Sequence, residues 1–335
     1  MTDQMLFMSK YVDKKRPPLY GKGLRVAIYQ CACKLGDAEA NIAQLRAAIL
    51  DATAMRAQII VTPELFLLGY NPTKKVCHAN AVARDSELMK GISNLAKENN
   101  IAILLPYAER GDNNEFYDSM VLYDKHGTEL LNYRKTHLWG PYERELFDFG
   151  YVGINDPFVV AKVNGISIGV LNCYEAEFPE LPRILALKGA QVILIPTAAD
   201  EWQTFDLDSF SPNKGSPYPD VSKTVIPTRA FENNVFCSYI NHCGSEYGTD
   251  GNKRAEYLGN SVIAAPNGDL IMKAPAQEVL MVADLIPADY VASHPTGTNN
   301  IKNRRVDLYG YLVQREIDYN DENPDRVHIY PNKPE

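Results

Sequence analysis

The chain has 335 residues, of which 45% are hydrophobic and 23% are charged, a composition typical of globular proteins. Its formal net charge is -8 and its basic residues form no long run. Nucleic acid is therefore not expected as a partner, because phosphate binding needs a clustered positive surface. No apolar run approaches the roughly 20 residues of a membrane-spanning helix, and the apolar stretch 5–8 is too short for a secretory signal. We expect a cytoplasmic protein without a membrane partner.

Six cysteines are distributed along the chain, and without a secretory signal they are expected to be free thiols in a reducing compartment. Cys31 and Cys33 do not have the spacing of a CxxC redox pair, and no cysteine–histidine spacing resembles a zinc site. His137 with Glu143 lacks a third metal ligand at a sensible spacing. We therefore expect no metal ion.

Hydrophobic periodicity predicts strands and helices that alternate in some regions and form hairpins in others. In chain order, the first predicted elements are strand 24–29, helix 37–56 with Asp37 as its cap, strand 58–61, helix 86–99 and strand 101–105. Two hairpins follow, 117–123 with 129–133 and 158–162 with 166–171. The last predicted elements are helix 179–188, strand 192–195, surface loop 203–224, helix 229–233, and strands 235–240, 261–265, 270–273 and 279–285. This order predicts an α/β fold with mixed sheets and helices outside.

The domain organisation follows from the absence of an internal linker. We predict one domain over residues 23–290, preceded by an irregular N-terminal arm at 1–22 and followed by a polar, irregular C-terminal extension at 291–335.

Three reactive side chains lie just past the ends of predicted apolar strands: Glu64, Lys135 and Cys173. Ligands bind outside the carboxyl ends of strands in α/β sheets, so these ends are candidates for one site. A carboxylate can take the proton of a thiol, and an ammonium can stabilise a developing oxyanion. Together the three groups would suffice for acyl transfer. Taken singly, each has an ordinary alternative: a helix-start carboxylate, a solvated strand end and a buried, inert thiol.

The segments around these residues, in this order, resemble the nitrilase superfamily of carbon–nitrogen hydrolases. The three motifs that carry the resemblance are residues 61–70 (VTPELFLLGY), 133–138 (YRKTHL) and 169–180 (GVLNCYEAEFPE). Supporting segments are 117–119, 122–124 and 229–233, and the similarity extends from about residue 24 to about residue 285.

The resemblance implies a four-layer αββα sandwich and a catalytic triad of Glu64, Lys135 and Cys173. It also implies a fourth site residue seven positions before Gly150, which is Glu143, with the nearby Glu145 as the alternative. The implied reaction passes through a thioester on the cysteine and needs no cofactor.

The residue after the nucleophile informs the choice of substrate. Nitrilases of this superfamily usually have Trp there, so Tyr174 is similar to the amidase branches, although Glu175 replaces their common Asp. Tyr70, Tyr174 and Trp202 are predicted to bind substrate.

We expect hydrolysis of a small amide to a carboxylic acid and ammonia. The alternatives are an N-carbamoyl amidohydrolase, a nitrilase, and a catalytically silent binding protein on the same fold. The resemblance also implies a homodimer or larger homo-oligomer, with the C-terminal extension as a candidate interface.

Overall fold

A computed structural model of the chain describes residues 6–10, 12–13, 15–150, 156–203, 220–290 and 296–313. Two large mixed β-sheets pack face to face, and helices cover the outer face of each sheet. The predicted αββα sandwich is therefore confirmed. No helix in the described ranges is long and apolar enough to cross a membrane.

The elements of the described residues are numbered here in chain order. The strands are β1 (Leu6–Lys10), β2 (Leu24–Gln30), β3 (Ile59–Val61), β4 (Ala102–Arg110), β5 (Phe116–Tyr123), β6 (Glu129–Arg134), β7 (Ala161–Val163), β8 (Ile166–Val170), β9 (Val192–Pro196), β10 (Asp200–Gln203), β11 (Phe236–Ile240), β12 (Cys243–Tyr247), β13 (Lys253–Leu258), β14 (Val262–Ala264), β15 (Leu270–Lys273) and β16 (Val279–Leu285). The helices are α1 (Ala38–Ala54), α2 (Lys74–Asn80), α3 (Glu87–Asn99), α4 (Gly140–Leu146), α5 (Glu180–Leu187) and α6 (Val221–Asn233).

The first large sheet has the strand order β1-β16-β2-β3-β4-β5-β6 and the second has the order β15-β14-β11-β9-β8-β7. Strands β2, β3 and β4 are parallel, as are β8, β9 and β11, and antiparallel strands extend each parallel centre. The parallel pairing matters for function, because it brings the carboxyl ends of several strands to the same edge of the molecule.

Alternation along the strands assigns each side chain either to the core between the sheets or to the core on the outer face of its own sheet. In β2, Val26 and Ile28 face the core between the sheets, whereas Ala27 and Tyr29 face the core beneath α1 and α3. In β8, Ile168 joins the core between the sheets. Strands with both faces buried read as continuous hydrophobic runs, which is why the sequence located them well.

A small third sheet, with the order β10-β13-β12, covers the end of the sandwich where β3 ends. Glu246 of β12 accepts hydrogen bonds from the backbone N–H groups of Tyr70 (3.0 Å) and Asn71 (2.9 Å). The sheet thus fixes the segment that follows β3. The sequence did not predict it.

The structure corrects the prediction from the sequence at two further places. The N-terminal arm is not irregular throughout, because Leu6–Lys10 form β1, which pairs in parallel with β16 and is the edge strand of the first sheet. The predicted loop 203–224 is wrong for 221–224, which belong to α6, and its residues 204–219 lie outside the described part. Asp220 caps α6 by accepting a hydrogen bond from the backbone N–H of Lys223, and Pro227 inside the helix concealed its length.

Candidate active site

The side chains of Glu64, Lys135 and Cys173 converge at one edge of the sandwich. Lys135 Nζ lies 2.6 Å from Glu64 Oε1, and both side chains are fully buried. Cys173 begins a short 3₁₀ helix after β8 and remains partly exposed. Burial and the charge of Glu64 raise the pKa of the Cys173 thiol well above its usual value, although Lys135 opposes the shift. The three groups therefore interact electrostatically, as a single site requires.

Three carboxylates surround the ammonium group of Lys135. Its Nζ atom lies 2.6 Å from Glu64, 2.8 Å from Glu143 and 3.5 Å from Asp118. Burial alone would lower the pKa of Lys135, but the charges of these carboxylates raise it well above its usual value. The lysine is therefore a fixed cation at neutral pH, held in one orientation from three sides.

The loop after β6 places Glu143 beside Lys135 and leaves Glu145 exposed. Glu143 Oε1 also accepts a hydrogen bond from the Tyr70 hydroxyl (2.6 Å), and Oε2 accepts one from the backbone N–H of Trp139 (2.7 Å). Burial and the neighbouring Glu64 raise the pKa of Glu143, although Lys135 opposes the shift. Of the two candidates for the fourth site residue, the geometry favours Glu143.

Gly150 closes this loop against the end of β6. Its N–H donates a hydrogen bond to the carbonyl of Lys135 at 2.8 Å. A Cβ atom at this position would lie only 2.1 Å from the carbonyl oxygen of Arg134, so the close approach requires glycine.

The Cys173 turn has a constrained backbone. Cys173 has φ of 48°, a left-handed conformation that is uncommon for residues other than glycine. The preceding Asn172 donates a side-chain hydrogen bond to Asp118 at 2.9 Å. Asp118 therefore connects the Cys173 turn to the lysine cluster.

A second buried carboxylate, Glu175, joins the cysteine turn to the lysine loop. Its Oε1 accepts hydrogen bonds from the Tyr133 hydroxyl (2.7 Å) and from the backbone N–H (2.8 Å) and hydroxyl (2.6 Å) of Thr136. Its Oε2 accepts one from the backbone N–H of Asn172 (2.8 Å). Glu175 thus spans the gap between the segment that carries Lys135 and the segment that carries Cys173.

The three predicted substrate-binding residues differ in their burial and in the groups that they contact. Tyr70 is buried and its hydroxyl is directed to Glu143. Tyr174 is half-buried, with its ring edge-on to Phe178 at 4.9 Å between centroids. The backbone of Trp202 pairs with Glu256 in the third sheet, while its side chain lies outside the described part of the structure. Their roles toward substrate stay predictions.

Two residues of the site were not singled out from the sequence. Asp118 was only one member of a supporting segment, and Thr197, whose hydroxyl lies 2.9 Å from Cys173 Sγ, is not among the predicted site residues. The signal for both is position, because Asp118 interrupts an apolar strand and Thr197 comes directly after β9.

The carboxylates around Lys135 also have the geometry of a metal site. One oxygen from each of Glu64, Asp118 and Glu143 lies within 4.8 Å of the others. In this protein the ammonium of Lys135 lies among them at hydrogen-bonding distance from two. The lysine supplies the positive charge that a metal ion would bring.

Known proteins were compared with this chain. The sequence model of the carbon–nitrogen hydrolase family matches residues 25–293. A protein from Pseudomonas protegens described as "Hydrolase in pqqF 5'region" is 35% identical, over 88% of this chain and 93% of its own. The N-carbamoylputrescine amidase of Solanum tuberosum is 32% identical, over 86% of this chain and 94% of its own.

Solved amidase structures are also similar to this chain. The crystal structure of an amidase from Nesterenkonia sp. is similar with a TM-score of 0.70 and 28% identity, covering 88% of this chain and 98% of that one. A mutant of the Nesterenkonia sp. AN1 amidase in complex with butyramide has a TM-score of 0.68 and 29% identity, covering 86% and 96%. From this fold and these matches, the chain belongs to the carbon–nitrogen hydrolase family, in the amidase-like branch of the nitrilase superfamily, as a hydrolase of non-peptide carbon–nitrogen bonds.

Proposed function

We propose that this hydrolase converts a small amide to a carboxylic acid and ammonia through a thioester on Cys173, with Glu64 as base and Lys135 as the cationic partner. The observation that carries the proposal is the contact of 2.6 Å between the buried Lys135 ammonium and Glu64, beside a partly exposed cysteine. A base, a fixed cation and a nucleophile in one buried site are the parts that acyl transfer needs.

The first half of the reaction forms the thioester. Glu64 takes the proton of Cys173 as the sulfur attacks the amide carbonyl. The resulting oxyanion is stabilised by Lys135 and by the backbone N–H of Tyr174, which lies in the first turn of the helix that Cys173 begins. Glu64 then returns the proton to the leaving nitrogen, so that ammonia departs and the carbon–nitrogen bond breaks.

The second half releases the acid. Glu64 removes a proton from a water molecule that attacks the thioester carbonyl, and Lys135 again faces the oxyanion. Collapse of this intermediate breaks the carbon–sulfur bond, and the proton on Glu64 returns to the sulfur. Glu143 holds Lys135 in place throughout.

The substrate class is proposed from the comparisons. Binding of butyramide to the mutant Nesterenkonia sp. AN1 amidase supports a small aliphatic amide. The similarity to the potato N-carbamoylputrescine amidase keeps an N-carbamoyl amine as the second candidate, which would release carbon dioxide as well as ammonia.

A panel of aliphatic amides, N-carbamoyl amines and nitriles, scored by ammonia release, tests the substrate class. We expect turnover of amides, and turnover of nitriles alone would refute the proposal. Intact-mass spectrometry should detect an acyl adduct that is absent in Cys173→Ala. An adduct that persists in this variant would exclude Cys173 as the nucleophile, and a protein that neither turns over nor forms an adduct would be a silent binding protein.

We also propose a homo-oligomeric, cytoplasmic enzyme. Apolar side chains of the C-terminal extension support the assembly, because Tyr311 and Val313 are 80% and 83% exposed in the single chain. Light scattering on the purified protein should give the mass of a dimer or larger assembly, and a monomer mass would contradict the proposal.

A further inference from the structure

Thr197 is fixed between the proposed base and the proposed nucleophile. It follows β9 directly and is fully buried. Its N–H donates to the carbonyl of Ile240 at 2.7 Å, and its carbonyl accepts from the N–H of Glu64 at 3.4 Å. With the backbone held on both sides, the hydroxyl lies 2.9 Å from Cys173 Sγ. Thr197 therefore touches the atom that would attack the substrate.

The hydroxyl of Tyr239 extends this contact into a chain. It lies 2.9 Å from Thr197 Oγ1, and Tyr239 is itself buried. A threonine hydroxyl has one hydrogen, so Thr197 cannot donate to Tyr239 and to Cys173 at the same time. A thiolate can only accept, so once Cys173 is ionised Thr197 must donate to the sulfur and Tyr239 to Thr197. The direction of the chain thus depends on the charge of the sulfur.

We propose that Thr197 is a further catalytic residue, whose hydroxyl donates a hydrogen bond to the Cys173 thiolate, and that Tyr239 is the positioning residue that aligns this hydroxyl. The proposal deepens the amidase function proposed above and rests on it for its effect on turnover.

The surroundings of Cys173 explain why such a donor is needed. Burial and the nearby Glu64 and Glu143 disfavour negative charge on the sulfur, whereas Lys135 and a backbone hydrogen bond from Ala198 favour it. A hydrogen bond to the thiolate acts in the same direction as Lys135 and Ala198, and it lowers the pKa of the thiol. The same bond stabilises the sulfur when it leaves at the end of the reaction.

The test measures the ionisation of Cys173 directly. The rate of alkylation by iodoacetamide is followed against pH in the full-length protein, with peptide mapping to confirm that Cys173 carries the adduct. In Thr197→Val, which keeps the shape and removes the hydroxyl, the apparent pKa of alkylation should rise by about one unit, equivalent to 1.36 kcal/mol. Alkylation at neutral pH should then be about ten-fold slower.

Two variants control for structure. Thr197→Ser retains the hydroxyl and should alkylate with the wild-type pH profile. Thr62→Val removes another buried threonine hydroxyl, which contacts the carbonyl of Leu104 at 3.5 Å instead of the sulfur, and should leave the profile unchanged. A Thr197→Val profile identical to that of wild type, in a protein with a normal thermal transition, would overturn the proposal.

Tyr239→Phe tests the second link. It should raise the pKa of alkylation by less than Thr197→Val, and it should have no further effect when combined with Thr197→Val. If Tyr239→Phe shifts the pKa of alkylation by the same amount in the Thr197→Val background as in the wild type, Tyr239 does not act through Thr197. Because alkylation needs no amide, a shifted profile in a protein that hydrolyses no amide would sustain the Thr197 contact and refute only the proposed function.

Discussion

Replacing Glu175 with glutamine should destabilise the protein, because this carboxylate joins the segment of Lys135 to the segment of Cys173. Burial alone would raise the pKa of Glu175, but hydrogen bonds from His137, Thr136, Tyr133 and Asn172 hold it below the usual range. Both oxygens of this buried carboxylate accept hydrogen bonds, including two from backbone N–H groups that cannot accept one in return. The site is therefore built for an ionised group.

The expected loss of stability follows from the hydrogen-bond donors around Glu175. In Glu175→Gln one oxygen becomes an NH₂ group, which faces either the N–H of Asn172 or the donors from Tyr133 and Thr136. One charge-assisted hydrogen bond is worth about 1.5–3 kcal/mol, and a buried unsatisfied donor adds about 1–3 kcal/mol. We expect a loss of about 3–5 kcal/mol, a large part of a typical stability of about 5–15 kcal/mol.

Urea unfolding at two pH values provides the assay. Because the folded-state pKa of Glu175 is lowered, its stabilisation is complete above the unfolded-state pKa of about 4.3 and is lost as pH falls through the folded-state pKa. The difference between Glu175→Gln and wild type should therefore be largest at neutral pH and shrink in acid. Glu145→Gln, at an exposed carboxylate on α4, is the matched control and should be neutral. A loss below about 1 kcal/mol, or one independent of pH, would refute the reasoning.

Three other changes test the lysine cluster. Glu143→Gln should lower kcat by about 10²-fold, because the loss of the carboxylate charge 2.8 Å from Nζ lets Lys135 shift and a misplacement of about 1 Å can cost that much; unchanged steady-state kinetics would exclude Glu143. Gly150→Ala would place Cβ 2.1 Å from a carbonyl oxygen, so calorimetry should show a clearly lower Tm or no folded protein; a wild-type Tm would contradict the close approach. Lys135→Ala leaves carboxylate oxygens within 4.8 Å without their cation, so Ca²⁺ should raise the Tm of this variant and not of wild type; no shift would contradict it.

The sequence predicted the parallel centres of both sheets because their strands are buried on both faces. Strand β9, predicted over 192–195, is observed as Val192–Pro196. The third sheet was missed because its strands are rich in polar and charged residues, as in β12, where Gly244 and Glu246 lie among apolar residues and give no clear period-two alternation. Glu246 is buried only because it binds backbone N–H groups of a loop far away in sequence. No local pattern records such a contact.

The site residues likewise divide into those with a local sequence signal and those that depend on contacts distant in sequence. Glu64, Lys135 and Cys173 were predicted because each follows an apolar strand and the three motifs, in this order, resemble the nitrilase superfamily. Asp118 and Thr197 gain their significance from neighbours on other strands. An aspartate within a strand reads as an outward polar residue, and a threonine after a strand reads as a turn. Only tertiary packing shows that one faces Lys135 and the other faces Cys173.

The charges of the cluster constrain the order of events in the proposed reaction. Burial and the surrounding carboxylates raise the pKa of Cys173, so the resting residue is a thiol. A free thiolate formed ahead of attack would be a buried anion next to Glu143, whereas proton transfer to Glu64 during attack moves negative charge from Glu64 to the oxyanion. Lys135 contacts Glu64 at 2.6 Å before this step and would face the oxyanion after it. The ammonium thus keeps an anionic partner throughout, so proton transfer coupled to attack keeps any thiolate short-lived, and the Thr197 hydroxyl donates to the sulfur while it carries that charge.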